Sequence, residues 1–81
     1  MFYTYILYSK TLDSYYIGST NDVRKRLERH NKGHSKYTRR GIPWELVYYE
    51  KYPSRREAFS REKHIKKQKS RSYINQLISK G

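Results

Sequence analysis

From Phe2 to Ser9 the chain alternates aromatic and aliphatic side chains at a period of two, and β-type residues resume from Tyr15 to Ser19 after a polar, turn-like Thr11 to Ser14. That pattern predicts a β-hairpin. Tyrosines stand in it where a small domain normally places valine and isoleucine, Tyr5 and Tyr16 among them. The chain has 81 residues and no cysteine, so neither a disulfide nor a thiolate metal site can support the fold. A domain of this size buries only a little over ~60% of its unfolded surface, and every inward position counts. Phenols spent on such a hairpin call for a reason beyond filling space.

The rest of the chain supplies elements to pack on the hairpin. Asn21 and Asp22 offer an N-cap and an acidic first turn, Val23 to Asn31 is helix-compatible and Gly33 is a stop, which predicts a helix over about 22–32. Lys32 to Gly41 is basic, polar and aperiodic, and reads as a loop reaching toward solvent that Pro43 ends. Glu45 to Tyr52, rich in β-branched and aromatic residues, predicts a third strand. Ser54 and Glu57 have the spacing of a capping box, in which each side chain satisfies an orphan backbone N–H, and a helix follows over about 55–68. A last short helix begins after Ser70 to Ser72, with Tyr73, Ile74, Leu77 and Ile78 at helical spacing. There is no internal repeat, linker or second domain. The expected fold is α+β: one domain over 1–81, order ββαβαα, with a small three-stranded antiparallel sheet flanked by helices.

Charge names the partner. Nineteen Lys and Arg stand against seven Asp and Glu, a formal charge of +12, with ten tyrosines interleaved. Such an excess repels itself in the compact state and draws phosphate backbones through counterion release. An anionic membrane surface ranks second, because the basic residues are spread around helices that also carry core faces. No apolar run approaches the roughly 18 residues of a membrane span, and Met1-Phe2-Tyr3-Thr4 lacks the features of a signal peptide. A soluble, cytoplasmic protein without membrane contact is expected.

Helical faces sharpen the reading. At 100° per residue from Val23, Leu27 falls near about 40°, His30 near about 340° and Arg26 near about 300°, so Arg26 and His30 flank a buried stripe. Arg24, Lys25 and Arg29 point elsewhere, to solvent or phosphate. With Ala58 at zero, Phe59 falls near about 100°, Ile65 near about 340° and Glu62 near about 40°. Glu62 thus lies inside an apolar stripe, where a carboxylate costs several kcal/mol unless it is paired or bound to a cation.

Tyr3-Thr4-Tyr5, Tyr16-Ile17-Gly18 eleven positions beyond Tyr5, Arg26 ten beyond Tyr16, then His30 and Glu62, together resemble the GIY-YIG nuclease domain. The likeness is to its small single-domain members, similar to the N-terminal nuclease domain of the UvrC excision-repair subunit, and it covers nearly the whole chain. The second motif is intact; in the first, Tyr3-Thr4 replace the family's Gly-Ile and Tyr5 remains. The resemblance implies metal-assisted hydrolysis of a DNA phosphodiester, with RNA left open, in repair or recombination. It gives Tyr5 a part in activating water and Glu62 a divalent cation, Mg2+ or Mn2+.

The residues themselves are compatible with that chemistry. Magnesium prefers oxygen ligands and is commonly held by one or two carboxylates plus substrate phosphate. Arg26 adds fixed positive charge where the transition state gains negative charge. A phenol has a pKa of about 10, so base work by Tyr5 needs a cationic setting. His30, one turn from Arg26, can hydrogen-bond a phenol or phosphate, and Tyr5 with Tyr16 would floor the site while their rings pack. Lys36, Tyr37, Arg39 and Arg40 resemble a segment of the small members, and a basic loop with an aromatic can pair phosphates and stack on a base.

Each of these residues has a plainer reading. Tyr5 and Tyr16 can be ordinary strand tyrosines, Gly18 a bulge or a close backbone approach, and Arg26 a surface cation. His30 can be a helix-end histidine, Glu62 a partner of a neighbouring lysine, and Lys36 to Arg40 a solvated charge run. Asn75 lies where some family members have a functional asparagine, but points off its helix's apolar stripe. His34 and His64 read as surface residues. The alternatives to an enzyme are a non-catalytic basic nucleic-acid-binding module and a protein-interaction adaptor. A binder has no use for a stripe-embedded carboxylate that repels phosphate. One active site cuts one strand at a time, and a monomer or weak dimer is expected.

Overall fold

The computed structural model describes residues 1–80. Its elements run β1 (Phe2–Ser9), β2 (Ser14–Thr20), α1 (Val23–Asn31), a 3-10 turn (Arg39–Gly41), β3 (Trp44–Tyr52), α2 (Arg55–Gln68) and α3 (Arg71–Lys80). The three strands form one antiparallel sheet in the order β2-β1-β3, so β1 is central and β2 has a free edge. This is the expected α+β arrangement, ββαβαα.

Alternation along β1 sorts its side chains between two cores. Tyr5, Leu7 and Trp44 form one, joined by Tyr16 and by Val23 and Leu27 of α1. Ile6, Ile65 and Ile74 form the other, joined by Ile17 and by Tyr73, Leu77 and Ile78. Helix α1 therefore covers one face of the sheet, and α2 with α3 the other. Thr4 to Leu7 are fully buried because β1 is covered on both faces. The pairing of β1 with β3 slips between Ile6, opposite Tyr48, and Leu7, opposite Leu46, leaving a bulge at Val47.

Helix ends follow local chemistry. Asp22 caps α1 by accepting from the N–H of Lys25 at 3.0 Å. At the other end Gly33, at φ +77, lets its own N–H reach the His30 carbonyl and the His34 N–H reach that of Arg29, at 3.2 Å each. In α2 the hydroxyl of Ser54 accepts from the Glu57 N–H at 3.2 Å and donates to Glu57 Oε2 at 2.9 Å. Half of the expected capping box is thus replaced: the glutamate bonds the serine hydroxyl instead of the backbone.

The segment Lys32 to Gly41 does not simply reach outward. Thr38 and Gly41 are buried, while Lys36, Tyr37, Arg39 and Arg40 stay exposed. Trp44 pulls the chain back, its indole N–H donating to the Thr38 carbonyl at 2.7 Å. Ser9 donates to the Gly41 carbonyl at 2.7 Å. A Cβ on Gly41 would stand 2.4 Å from the Trp44 ring, so only glycine fits under it. Composition spoke for solvent here; one tryptophan and a glycine spoke for the core.

A network not evident in the sequence ties β3 to α2 and α3. Glu50 accepts from Arg61 Nε at 2.9 Å and Nη2 at 3.2 Å, and from the hydroxyls of Tyr48 and Tyr52, while Arg61 Nη1 reaches the Tyr73 hydroxyl at 3.0 Å.

Candidate active site

Two consecutive residues of β2 organise the site. Gly18 lies opposite Tyr5 in the register and Ser19 opposite Thr4, so they face the α1 side and the α2 side respectively. On the α1 side the Tyr5 ring lies across Gly18: a Cβ there would meet the hydroxyl oxygen at 2.6 Å and Cζ at 2.7 Å. The close-approach reading of Gly18 is the one the structure adopts. On the α2 side Ser19 donates to Glu62 Oε1 at 2.7 Å. Tyr5 and Glu62 thus come from opposite faces of the sheet and converge around its free edge.

Tyr5 is fully buried, and its hydroxyl lies 3.3 Å from Nε2 of His30. Nδ1 of His30 is 2.7 Å from the hydroxyl of Thr38. His30 does more than flank the stripe. It is 3% exposed, because the returning Thr38 segment closes over it. Tyr16 packs edge-on to His30, ring centroids 4.8 Å apart, and lies 6.2 Å from Trp44, 6.3 Å from Tyr5 and 6.5 Å from the 84%-exposed Tyr37. An aromatic path therefore leads from the buried phenol to the basic loop. Within that loop Arg39 donates to the Gly33 carbonyl at 3.3 Å and braces the turn, whereas Lys36, Tyr37 and Arg40 present themselves to solvent.

Burial pushes the Tyr5 phenol well above its ordinary pKa; Tyr16 adds to the shift and the Arg26 guanidinium beside it pulls down without prevailing. The cationic setting expected for a phenolate is outweighed, and the resting hydroxyl is protonated. Burial, with help from Arg26 and Arg29, pulls His30 below its ordinary value. At neutral pH its imidazole is uncharged.

Ala58, Glu62 and Ile65 are the buried residues of α2, as the stripe predicts. Glu62 is 9% exposed. Its second oxygen is 2.6 Å from Nζ of Lys66 one turn on, a side chain 51% exposed. The lysine-paired reading thus describes this structure, with positive charge held at the carboxylate by a side chain free to swing into solvent. Among the described residues no group of three His, Cys, Asp or Glu comes together. An ion here would rest on the Glu62 carboxylate with water and substrate oxygens, a donor set that suits magnesium.

Asn75 is not part of this cluster; it accepts from the Tyr15 hydroxyl at 2.9 Å near the far end of β2. His64 and His34 are exposed. Two contributors carried no clear signal in the sequence. Ser19 is separable only by its alternation with Gly18, and Thr38 by nothing, since it stands in an aperiodic basic run.

Comparison with known proteins gives the chain its family. The GIY-YIG catalytic domain matches residues 1–75. The chain belongs to the GIY-YIG family. It is a family of nucleases, generally dependent on a divalent metal ion and acting on nucleic acid. Within it, this GIY-YIG chain is 49% identical over 80 residues to a UPF0213 protein of Clostridium perfringens, spanning 98% of this chain and 84% of that one. It is 44% identical over 68 residues to a UPF0213 protein of Streptococcus pneumoniae, spanning 83% and 68%. The solution NMR structure of a UPF0213 protein of Bacillus halodurans matches with a TM-score of 0.59 at 41% identity, covering 98% of this chain and 84% of that one. No helix among the described residues is long and apolar enough to cross a membrane.

Proposed function

We propose that this GIY-YIG domain is a divalent-metal-dependent endonuclease that hydrolyses DNA phosphodiester bonds one strand at a time, in repair or recombination. The observation that carries the reading is the convergence, at the free edge of β2, of the Tyr5 hydroxyl over Gly18 with the Glu62 carboxylate beside Ser19.

The buried phenol suits proton transfer without a standing phenolate. The attacking water gives its proton to the Tyr5 oxygen as the phenolic proton passes to Nε2 of His30, 3.3 Å away. This requires the tautomer in which Nδ1–H donates to Thr38 and Nε2 carries the lone pair. Charge then passes transiently to the His30 imidazole under the Thr38 segment, and no phenolate is stored in the core. Arg26, half-buried at the cleft, offers its guanidinium to the phosphate as negative charge grows there. Glu62, with Ser19 fixing one oxygen, would hold the divalent ion; when bound, such an ion polarises the phosphate and stabilises the leaving oxygen. Exposed Lys36, Tyr37 and Arg40 would guide the strand.

The test is a cleavage panel of single-stranded, branched and duplex DNA with magnesium, manganese or chelator, run with Tyr5→Phe. Metal-dependent cutting that drops by about 10²-fold or more in Tyr5→Phe is expected. Cutting by the variant at the wild-type rate would return Tyr5 to packing, and no cutting under any condition would leave a binding module on the same fold.

A further inference from the structure

A cleft of about 670 Å³ opens directly off the catalytic cluster, sharing Ser19 and Arg26 with it. The first turns of α2 contribute Arg55, Arg56 and Phe59 to its lining, and β1 contributes Phe2. None of its described lining residues is acidic. Phe59 is 50% exposed, although its neighbour Ala58 is fully buried against the sheet. Lys63 Nζ lies 5.5 Å from the Phe59 ring centroid, and the Arg55 guanidinium lies 5.5 Å from that of Phe2. Singly exposed apolar residues are normal on any surface. A half-exposed phenylalanine set in a cation-lined cleft beside a phosphodiester site is a different case. The cleft's volume lies in the range of small-ligand sites, and its aromatic and cationic walls match the two halves of a nucleotide: a flat base and an anionic phosphate.

We infer that this cleft takes a nucleotide of an unpaired DNA strand next to the scissile phosphate, its base stacked on Phe59 and its flanking phosphate on Arg55 and Arg56. The inference rests on the nuclease reading and adds to it a substrate class: single-stranded DNA or the unpaired arm of a branch, in preference to continuous duplex. In a duplex each base already stacks on its neighbours and offers no free face to Phe59 unless it is flipped out, which costs a few kcal/mol. Tyr37, exposed on the α1 side of the same edge, offers a second face, so an unstacked strand crossing the site has an aromatic on either side.

The experiment measures binding by fluorescence anisotropy of a labelled single strand and the matching duplex, and cleavage of both with magnesium. Wild type is compared with Phe59→Ala, Phe59→Leu and Phe59→Trp. Wild type should bind the single strand more tightly than the duplex. Phe59→Ala should weaken the single strand by about fivefold to a hundredfold, the range for one stacked base, and the duplex much less. Phe59→Leu, which keeps the apolar bulk and loses the π-face, should behave like Phe59→Ala, and Phe59→Trp should restore binding. Equal weakening of both DNAs, full binding by Phe59→Leu, or wild-type preference for duplex would each overturn the subsite. Binding is read separately from cutting, so a protein that discriminates single strand from duplex through Phe59 yet never cleaves keeps the subsite and loses the nuclease reading. A protein that cleaves indifferently to Phe59 does the reverse.

Discussion

Gly18→Ala is the smallest change that should separate the fold from its chemistry. Gly18 does not occupy the left-handed region, so alanine is acceptable to its backbone and the cost must come from contact. The added methyl would lie 2.6 Å from the Tyr5 oxygen, 2.7 Å from Cζ and 3.1 Å from Cε1. Ordinary carbon contacts begin near about 3.5 Å, so the ring must move by about 1 Å. It has little room, being fully buried with the rings of Tyr16 and His30 at 6.3 and 6.4 Å from its own. Overpacking of this kind costs about 1–3 kcal/mol. For a domain of this size that lowers the melting temperature by roughly 5–20 °C. A displacement of about 1 Å in a catalytic group costs on the order of 10²-fold in rate. Calorimetry and cleavage well below the melting temperature read the two effects separately. Tyr5→Leu supplies the control, since it removes all three contacting atoms, and in that background Gly18→Ala should cost nothing or stabilise slightly. The reasoning is refuted if Gly18→Ala keeps wild-type stability and rate, or if its cost is the same in the Tyr5→Leu background.

Glu62→Gln should abolish metal-dependent cleavage while DNA binding persists, and its stability should change by less than about 1 kcal/mol, because Lys66 is half-exposed and the amide oxygen still accepts from Ser19. A fully active variant would remove the proposed metal site, and parallel losses of melting temperature and binding would make the carboxylate structural. Thr38→Val keeps the buried shape but strands Nδ1 of His30, so kcat should fall with little change in KM and Thr38→Ser should recover it; unchanged kcat counts against the relay. At Glu50 burial alone would raise the pKa, but the bonds from Arg61, Tyr48 and Tyr52 together hold it below its ordinary 4.5. Its contribution to stability is therefore full above 4.5 and fades as pH falls through the depressed folded value. The melting-temperature gap between wild type and Glu50→Gln should be wide at pH 7 and close in strong acid; a gap independent of pH would show that the charge is not what stabilises.

Local physics made much of this protein legible from its residues alone. Period-two alternation gave the hairpin, the Ser54 and Gly33 caps bounded two helices, and a helical count put Glu62 on the buried stripe of α2. These depend on neighbours within a turn or a strand, where φ, ψ and spacing decide the outcome. Alternation says which residues share a face of one strand, and not which helix will cover that face. Hence the sequence pointed to Tyr5 and Glu62 as site residues but could not say that they sit on opposite faces of the sheet and meet around β2, which packing decides. Thr38 and Ser19 became site residues through contacts with His30 and Glu62, 8 and 43 positions away in the chain, to which no periodicity refers. The burial that keeps the Tyr5 phenol protonated is likewise a property of two packed layers, to which no local pattern of residues refers.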